Sequence, residues 1–182
     1  GVGLTIPCDS NANDGIEIIV ADSLNSTGPC FTVGTDPAFR VDLKMRIPVV
    51  LDFDVACVGF RKQEAYNAAI QEDEEVITAY ENVAALNVNL GNIDTCTRLA
   101  AGTGVDTDTT DNWANGNTKT LSVLVSAAGV VTFLIDGVAP TVNTNTLTIA
   151  DGSVVIPFIA FTVAATNADT PPNLVSFFAG HQ

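Results

Sequence analysis

From Ala38 onward the chain alternates. Phe39, Val41, Leu43, Met45 and Ile47 are apolar, and Arg40, Asp42, Lys44 and Arg46 between them are charged. A sustained period of two predicts a strand with one face on a core and the other in water, ended here by Pro48. The next run, DFDVACVGF, is apolar on both faces in its middle, which predicts a strand covered on both sides; it opens with Asp52 and Asp54 on one face. In VAALNVNL, Leu86, Val88 and Leu90 are expected inward and Asn87 and Asn89 outward, and IDTCTRL follows as a further strand. LSVLVSAAGVVTFLIDG reads as two strands joined by a small-residue turn into a hairpin. TLTIADG, VVIPFIAFTVAA and LVSFFAGHQ complete the last third, with Pro157 marking a sheet edge or a bulge.

Three stretches break the alternation. Residues 63–75 (QEAYNAAIQEDEE) are Ala-rich and close in a run of acids, which predicts a short helix or a long excursion. AAGTGVDTDTTDNWANGNT, residues 100–118, is rich in Gly, Thr and Asp and predicts a loop. Residues 1–37, rich in Gly, Asn, Ser and Pro, read as an extended N-terminal arm or edge segment outside the main domain. Many short strands separated by turn signals, with no βαβ alternation, predict an all-β antiparallel β-sandwich over residues 38–182. Asp-Gly occurs at Asp136-Gly137 and again at Asp151-Gly152, each time where a strand has just ended. Gly supplies a positive φ and Asp bonds its own backbone, so Asp136 is expected to be a corner and not a catalyst.

Composition narrows the classes. At 182 residues the chain fits one domain. With 47 % hydrophobic residues it is too apolar for disorder. No run approaches the roughly 18 uninterrupted apolar residues of a membrane-spanning helix, so a folded, soluble chain without membrane insertion is expected. Seven basic against 21 acidic residues give a net charge of −14, a field that repels nucleic-acid phosphates. Arg40, Lys44, Arg46, Arg61 and Lys62 nevertheless cluster within residues 40–62. They are either ordinary solvent-facing strand residues or an assembly contact strip for an acidic neighbour. The four cysteines (Cys8, Cys30, Cys57, Cys96) have no C-x-x-C spacing, which argues against a thiolate metal site. Cys8 and Cys30, in IPCDS and TGPCF, are candidates for a disulfide that pins the N-terminal segment, whereas Cys57 and Cys96 lie in strand-like runs as small core residues. The sequon at Asn25 accepts a glycan only in a glycosylating host.

NWANGNTKTLSVLVSAAGVVTFLIDGVAP, followed by VVIPFIAFTVAA and the Pro-preceded LVSFFAG, resembles the concanavalin A-like, laminin-G-type jelly roll, in which such a hairpin presents a DG corner. More narrowly, VGFRKQEAYN, DNWANGNTKTLSVLVSAAGVVTFLIDG and VIPFIAF resemble structural, decoration-like proteins of tailed marine bacteriophages. The resemblance covers about residues 38–180 and implies binding and assembly in place of turnover.

Catalytic candidates are sparse. Glycoside hydrolysis needs an acid and a base carboxyl about 5–10 Å apart on one face. Asp52 and Asp54 are an acidic i, i+2 pair with apolar neighbours, expected as solvated strand-end residues. His181, the single histidine, lies one residue from the C-terminus, on an end expected to fray. No Gly-rich phosphate loop occurs, and no enzymatic activity is expected. Asp106, Asp108 and Asp111 in GVDTDTTDNW are oxygen ligands of the kind calcium takes, without EF-hand spacing; a solvated loop is the alternative. The resemblance implies calcium in such loops, and calcium is the sole cofactor candidate. Trp113 is available to stack on a sugar or to plug the sandwich edge.

The leading expectation is a virion structural protein: a capsid decoration or cement subunit on the outer virion surface, a homo-oligomer whose partners are its own copies and a major capsid or tail protein. The alternative is a lectin-like carbohydrate-binding module, extracellular or on the virion, with Asp106–Trp113 and Asp136–Gly137 at its site and cell-surface glycans as partners. The third is a subunit of an extracellular filament.

Overall fold

The computed structural model of the chain describes residues 4–5, 15–19, 30–65, 67, 80–100, 102–164 and 172–182. Their twelve strands form two antiparallel sheets. The smaller sheet has the order β1 (Leu4–Thr5), β12 (Asn173–His181), β4 (Phe39–Arg46), β9 (Thr118–Val125), β10 (Val131–Ile135). The larger has the order β2 (Gly15–Ile19), β11 (Val154–Val163), β5 (Phe53–Lys62), β6 (Val83–Asn89), β7 (Asn92–Arg98), β8 (Val105–Asn112), and β3 (Phe31–Thr32) also pairs with β11. This is the expected β-sandwich.

The two faces of each sheet differ as the alternation predicts. Along β4 the odd-numbered residues Phe39 to Met45 are fully buried between the sheets, and Arg40, Lys44 and Arg46 are exposed. Phe39 enters from the smaller sheet between two aromatics of the larger one, 4.5 Å from the Phe31 ring centroid and 5.0 Å from Phe60. In β5 both faces are buried, as its continuous apolar run predicts. Ala56, Val58 and Phe60 face the central core, while Val55 and Cys57 join Tyr80, Val83, Ala85, Cys96, Phe158 and Ala160 in a second apolar layer on the outer face of the larger sheet.

Several expectations are corrected. Of the two readings of residues 1–37, the described parts are edge segments and not a detached arm: β1 pairs with β12 at the end of the smaller sheet, β2 pairs with β11 at the end of the larger, and β3 also pairs with β11. Residues 105–112, expected as loop, form the edge strand β8, because Thr107 and Thr109 alternate with Asp106 and Asp108 and the buried Thr109 hydroxyl donates to the Ile93 carbonyl. Leu90 does not face inward; it is the exposed first residue of a two-residue turn in which Leu90 (φ 47°) and Gly91 (φ 97°) both have positive φ. Asp54 is buried and not solvated. His181 is held in β12 opposite Phe39, its ring edge-on to Phe31, in place of the loose end expected. Pro157 lies in an interior strand, opposite Phe60 of β5. On its other side, among the described residues, β3 pairs with Val154 and Val155 and β2 from Phe158 onward, so Pro157, which has no N–H to donate, has no described partner there and the expected local edge is present on that side. Among the described residues there is no α-helix; most of the helix or excursion expected over 63–75 lies outside them.

Candidate functional site

The hairpin from β9 to β10 ends in Asp136 (φ 52°) and Gly137 (φ 82°), the paired positive φ values of a type I′ turn. Asp136 is the expected corner: its N–H donates to the Thr120 carbonyl, its Oδ1 accepts from the Thr120 N–H, and Lys119 Nζ stands 3.6 Å from its Oδ2. It also closes one end of a groove of about 310 Å³ on the outer face of the smaller sheet, lined by Arg40, Asp42, Thr120, Ser122, Leu124 and Leu134. Register explains this grouping: Arg40 lies opposite Leu124 and Asp42 opposite Ser122, so all four point outward.

On the other flank of β4, Phe178 of β12 lies opposite Asp42. Its ring tip covers Gly180, where a Cβ would come 2.9 Å from the ring and make it shift, so the glycine lets the aromatic lie in this position on the sheet. Phe178 remains 43 % exposed, and the Arg40 guanidinium sits 5.2 Å from its centroid while pairing with Asp42 at 3.2 Å. Neither Phe178 nor Asp42 was picked out from the sequence. The signal was present in LVSFFAG, because adjacent residues of a strand take opposite faces, and one of Phe177 and Phe178 had to point outward.

The five cations expected on one strip are divided between the sheets. Arg40, Lys44 and Arg46 share the outer face of β4. Arg61 is on the outer side of the larger sheet and fully buried: its Nε donates to Glu17 Oε1 at 2.7 Å, its Nη1 to the carbonyls of Lys62 and Glu64, and the guanidinium stacks 3.9 Å from the centroid of Tyr80. The Tyr80 hydroxyl donates to Glu17 Oε2 at 2.6 Å, which closes the network. Burial, with the Glu17 charge added, pushes the Tyr80 phenol far up. Arg61 Nη2 has no hydrogen-bond partner among the described residues. Lys62 pairs with Glu81 at 2.6 Å. Arg61 is therefore structural here and unavailable to an external partner.

A second polar group was only partly picked out from the sequence: Asp106 and Asp108 were candidates there, Asp94 and Asn87 were not. On the outer face of the larger sheet Asn87, Asp94 and Asp108 form a cross-strand row, and Cys96 and Asp106 a neighbouring one. Asp94 is buried, and desolvation, followed by the charges of Asp106 and Asp108, pushes its carboxyl up to about 7. The Cys96 thiol donates to Asp106 Oδ1 at 3.5 Å and is pushed well up, mainly by burial. Asp111 is not part of this group; both its oxygens accept from Thr141, at 2.8 Å each. The structure thus does not assemble Asp106, Asp108 and Asp111, and among the described residues no cluster of three or more His, Cys, Asp or Glu side chains is placed to hold a metal ion. Trp113 is 2 % exposed and donates its indole N–H to the Asn117 carbonyl, so it fills the core and has no face for a sugar. Cys30 is a free, half-buried thiol; Cys8, its expected partner, and the Asn25 sequon lie outside the described residues.

No family model matches the sequence, and no curated protein matches it. Solved structures do match the fold. The carbohydrate recognition domain of Emp46p in its potassium-bound form superposes with a TM-score of 0.59 at 8 % identity, over 94 % of this chain and 80 % of that one. Alginate lyase A1-II′, a member of polysaccharide lyase family 7, superposes with a TM-score of 0.52 at 11 % identity, over 93 % and 79 %. The fold is the concanavalin A-like jelly roll. Identity this low shows the fold alone, and nothing in these matches supports the phage resemblance or a virion role. The expectation that the chain is no enzyme is overturned: several matching structures are alginate lyases, so the architecture that suggested binding and assembly houses polysaccharide cleavage as well as recognition.

Proposed function

We propose that the chain is a glycan-recognition domain that receives a sugar chain in the groove over β4, β9 and β10. The observation that carries this reading is the exposed Phe178 ring laid on Gly180, beside the Arg40–Asp42 pair and a groove lined by the side chains of Ser122, Thr120 and Asp136. A sugar ring has an apolar C–H face and a rim of hydroxyls. An aromatic surface takes the first, and fixed carboxylate, guanidinium and hydroxyl groups take the second. A carbohydrate recognition domain and an alginate lyase among the fold's neighbours support the same ligand class. The test is affinity electrophoresis against a panel of glycans that includes alginate. Retention by at least one is expected, with Phe178→Ala lowering affinity about tenfold, some 1.4 kcal/mol, and leaving the melting temperature unchanged. Retention by none overturns the reading.

A second reading, cleavage of the glycan, is supported by Asp94. A carboxyl held near 7 can give and take a proton at neutral pH, and a second carboxyl, Asp108, lies directly opposite, about 5 Å away at the Cβ. This places the sugar on the other sheet. On that face, among the described residues, the apolar layer around Val55, Val83 and Ala85 is buried, and so is Asp94 beside the exposed Asp106 and Asp108, so the groove is the better-supported site. Chain shortening abolished by Asp94→Asn and untouched by Phe178→Ala would establish the second reading against the first.

A further inference from the structure

The charge on the groove's own face carries the argument a step further, and this step rests on the glycan reading above. In a chain of net charge −14 with seven cations, Arg40, Lys44, Arg46 and Lys119 stand on or beside the outer face of the smaller sheet. The carboxylates there, Asp42 and Asp136, are each paired, with Arg40 and with Lys119. Lys44 and Arg46 are left over. Lys44 stands between Thr120 and Ser176, and Arg46 between Thr118 and Asn173, so each has uncharged residues on both neighbouring strands. Arg46 is tied by its Nε to the Gly116 carbonyl at 3.1 Å, which fixes the guanidinium and leaves its other nitrogens without a partner among the described residues.

Two exposed cations with no counter-charge among the described residues do little for stability. In a strongly acidic chain they do create a local field of opposite sign that selects the charge of whatever docks beside them. Outward residues of one strand recur at about 6.8 Å, so Arg40, Lys44 and Arg46 span about 20 Å in a straight line. That line runs along β4, between the Phe178 platform and the groove. A linear chain with an anion on successive units fits it; a neutral chain leaves Lys44 and Arg46 unused. We infer that the glycan recognised is a polyanion, bearing carboxylate or sulfate groups, that lies along β4 with its charges on Lys44 and Arg46 and its ring faces at Phe178.

The experiment compares polygalacturonate with its fully methyl-esterified form, and dextran sulfate with dextran, alongside the glycan panel, at low and high salt, for the wild-type chain, Phe178→Ala and the double variant Lys44→Gln/Arg46→Gln. Both substituted cations are exposed, so the fold is expected to survive, and a melting curve checks this. The expected result is binding of charged glycans that weakens as salt rises and falls about tenfold or more in the double variant. Equal or better binding of the neutral partners, unchanged in the double variant, overturns the polyanion and leaves the glycan reading standing. Binding of no glycan by any form overturns the reading itself. Light scattering supplies the remaining outcome: self-association lost in the double variant assigns the cations to the acidic surface of a second copy and overturns the inference.

Discussion

Arg61 is a guanidinium with no exposed surface in a chain that carries only seven cations. Its desolvation is offset by Glu17, two backbone carbonyls and the Tyr80 ring, with one nitrogen left without a partner among the described residues. Removing one partner of such a pair strands the other charge in an apolar layer, so Arg61→Met should cost about 3–5 kcal/mol in urea unfolding. Replacing Glu17 as well, by Leu, should recover most of that loss; if the double variant is no better than the single one, the ion pair is not what the site depends on. Asp94 gives a second residue-scale prediction, with a definite sign. Its folded pKa, about 7, lies above the ordinary aspartate value near 3.9, so between these values the native state holds more protons than the unfolded state. The stability that the neutral carboxyl contributes is complete below about pH 4 and is lost as pH rises through 7. Asp94→Asn should remove this fall while keeping the side chain's shape. An unaltered pH–stability slope in that variant would show that the proton is not held there.

Among the elements, the hairpin joining β6 to β7 turns on Leu90 and Gly91, both at positive φ. Leucine pays for its Cβ in that region by roughly 1–2 kcal/mol, whereas asparagine tolerates it and Asn-Gly is the favoured type I′ pair. Leu90→Asn should therefore stabilise the chain by about 1 kcal/mol, read as a higher melting temperature, with Leu90→Val shifting it the other way. The same turn shows where the sequence was legible. Strict alternation located β4 and the β9–β10 hairpin, and the apolar run located β5, because burial on one face or both leaves a direct pattern in residue type. A leucine at a turn tip carries the wrong signal, since its hydrophobicity argues for the core while backbone geometry holds it outside. Strand β8 was hidden for the opposite reason: Asp and Thr are loop residues by composition, and they are accommodated in a strand here because β8 is a sheet edge tied to β7 on its inner side, the Thr109 hydroxyl donating to the Ile93 carbonyl and the Thr95 hydroxyl of β7 to the Thr107 carbonyl. The candidate site was only half readable. Arg40 and Arg61 were grouped by closeness in sequence, but the short 3₁₀ turn Val50–Asp52 stands between a strand of one sheet and a strand of the other, so consecutive strands present their cations on opposite sides of the molecule.

At the scale of the whole molecule, the question is whether residues 1–37 are an appendage or part of the sandwich. An arm that orders only on a partner would leave the rest intact when removed. Three features of the structure argue against that. β1 lies beside β12, the strand that carries Phe178, so its loss bares that edge of the smaller sheet. β2 runs along five residues of β11, from Phe158 to Thr162, and its loss frees the backbone of a strand that is otherwise interior. Glu17 belongs to β2, so the same deletion leaves the fully buried Arg61 without its counter-ion. An exposed edge invites pairing with another chain, and an uncompensated buried charge costs several kcal/mol, a large share of the 5–15 kcal/mol that holds a typical domain together. A chain beginning at Cys30 should therefore be insoluble or unfold at a markedly lower temperature, and adding Arg61→Met to it should recover part of the loss. A truncated chain that melts like the full one would show that β1 and β2 only rest on the sheets, and would return the N-terminal segment to the role of a mobile arm. The deletion also bears on function through the smaller sheet: if the truncated chain folds but binds glycan more weakly, β1 contributes to holding β12, and with it Phe178, beside the cations of β4.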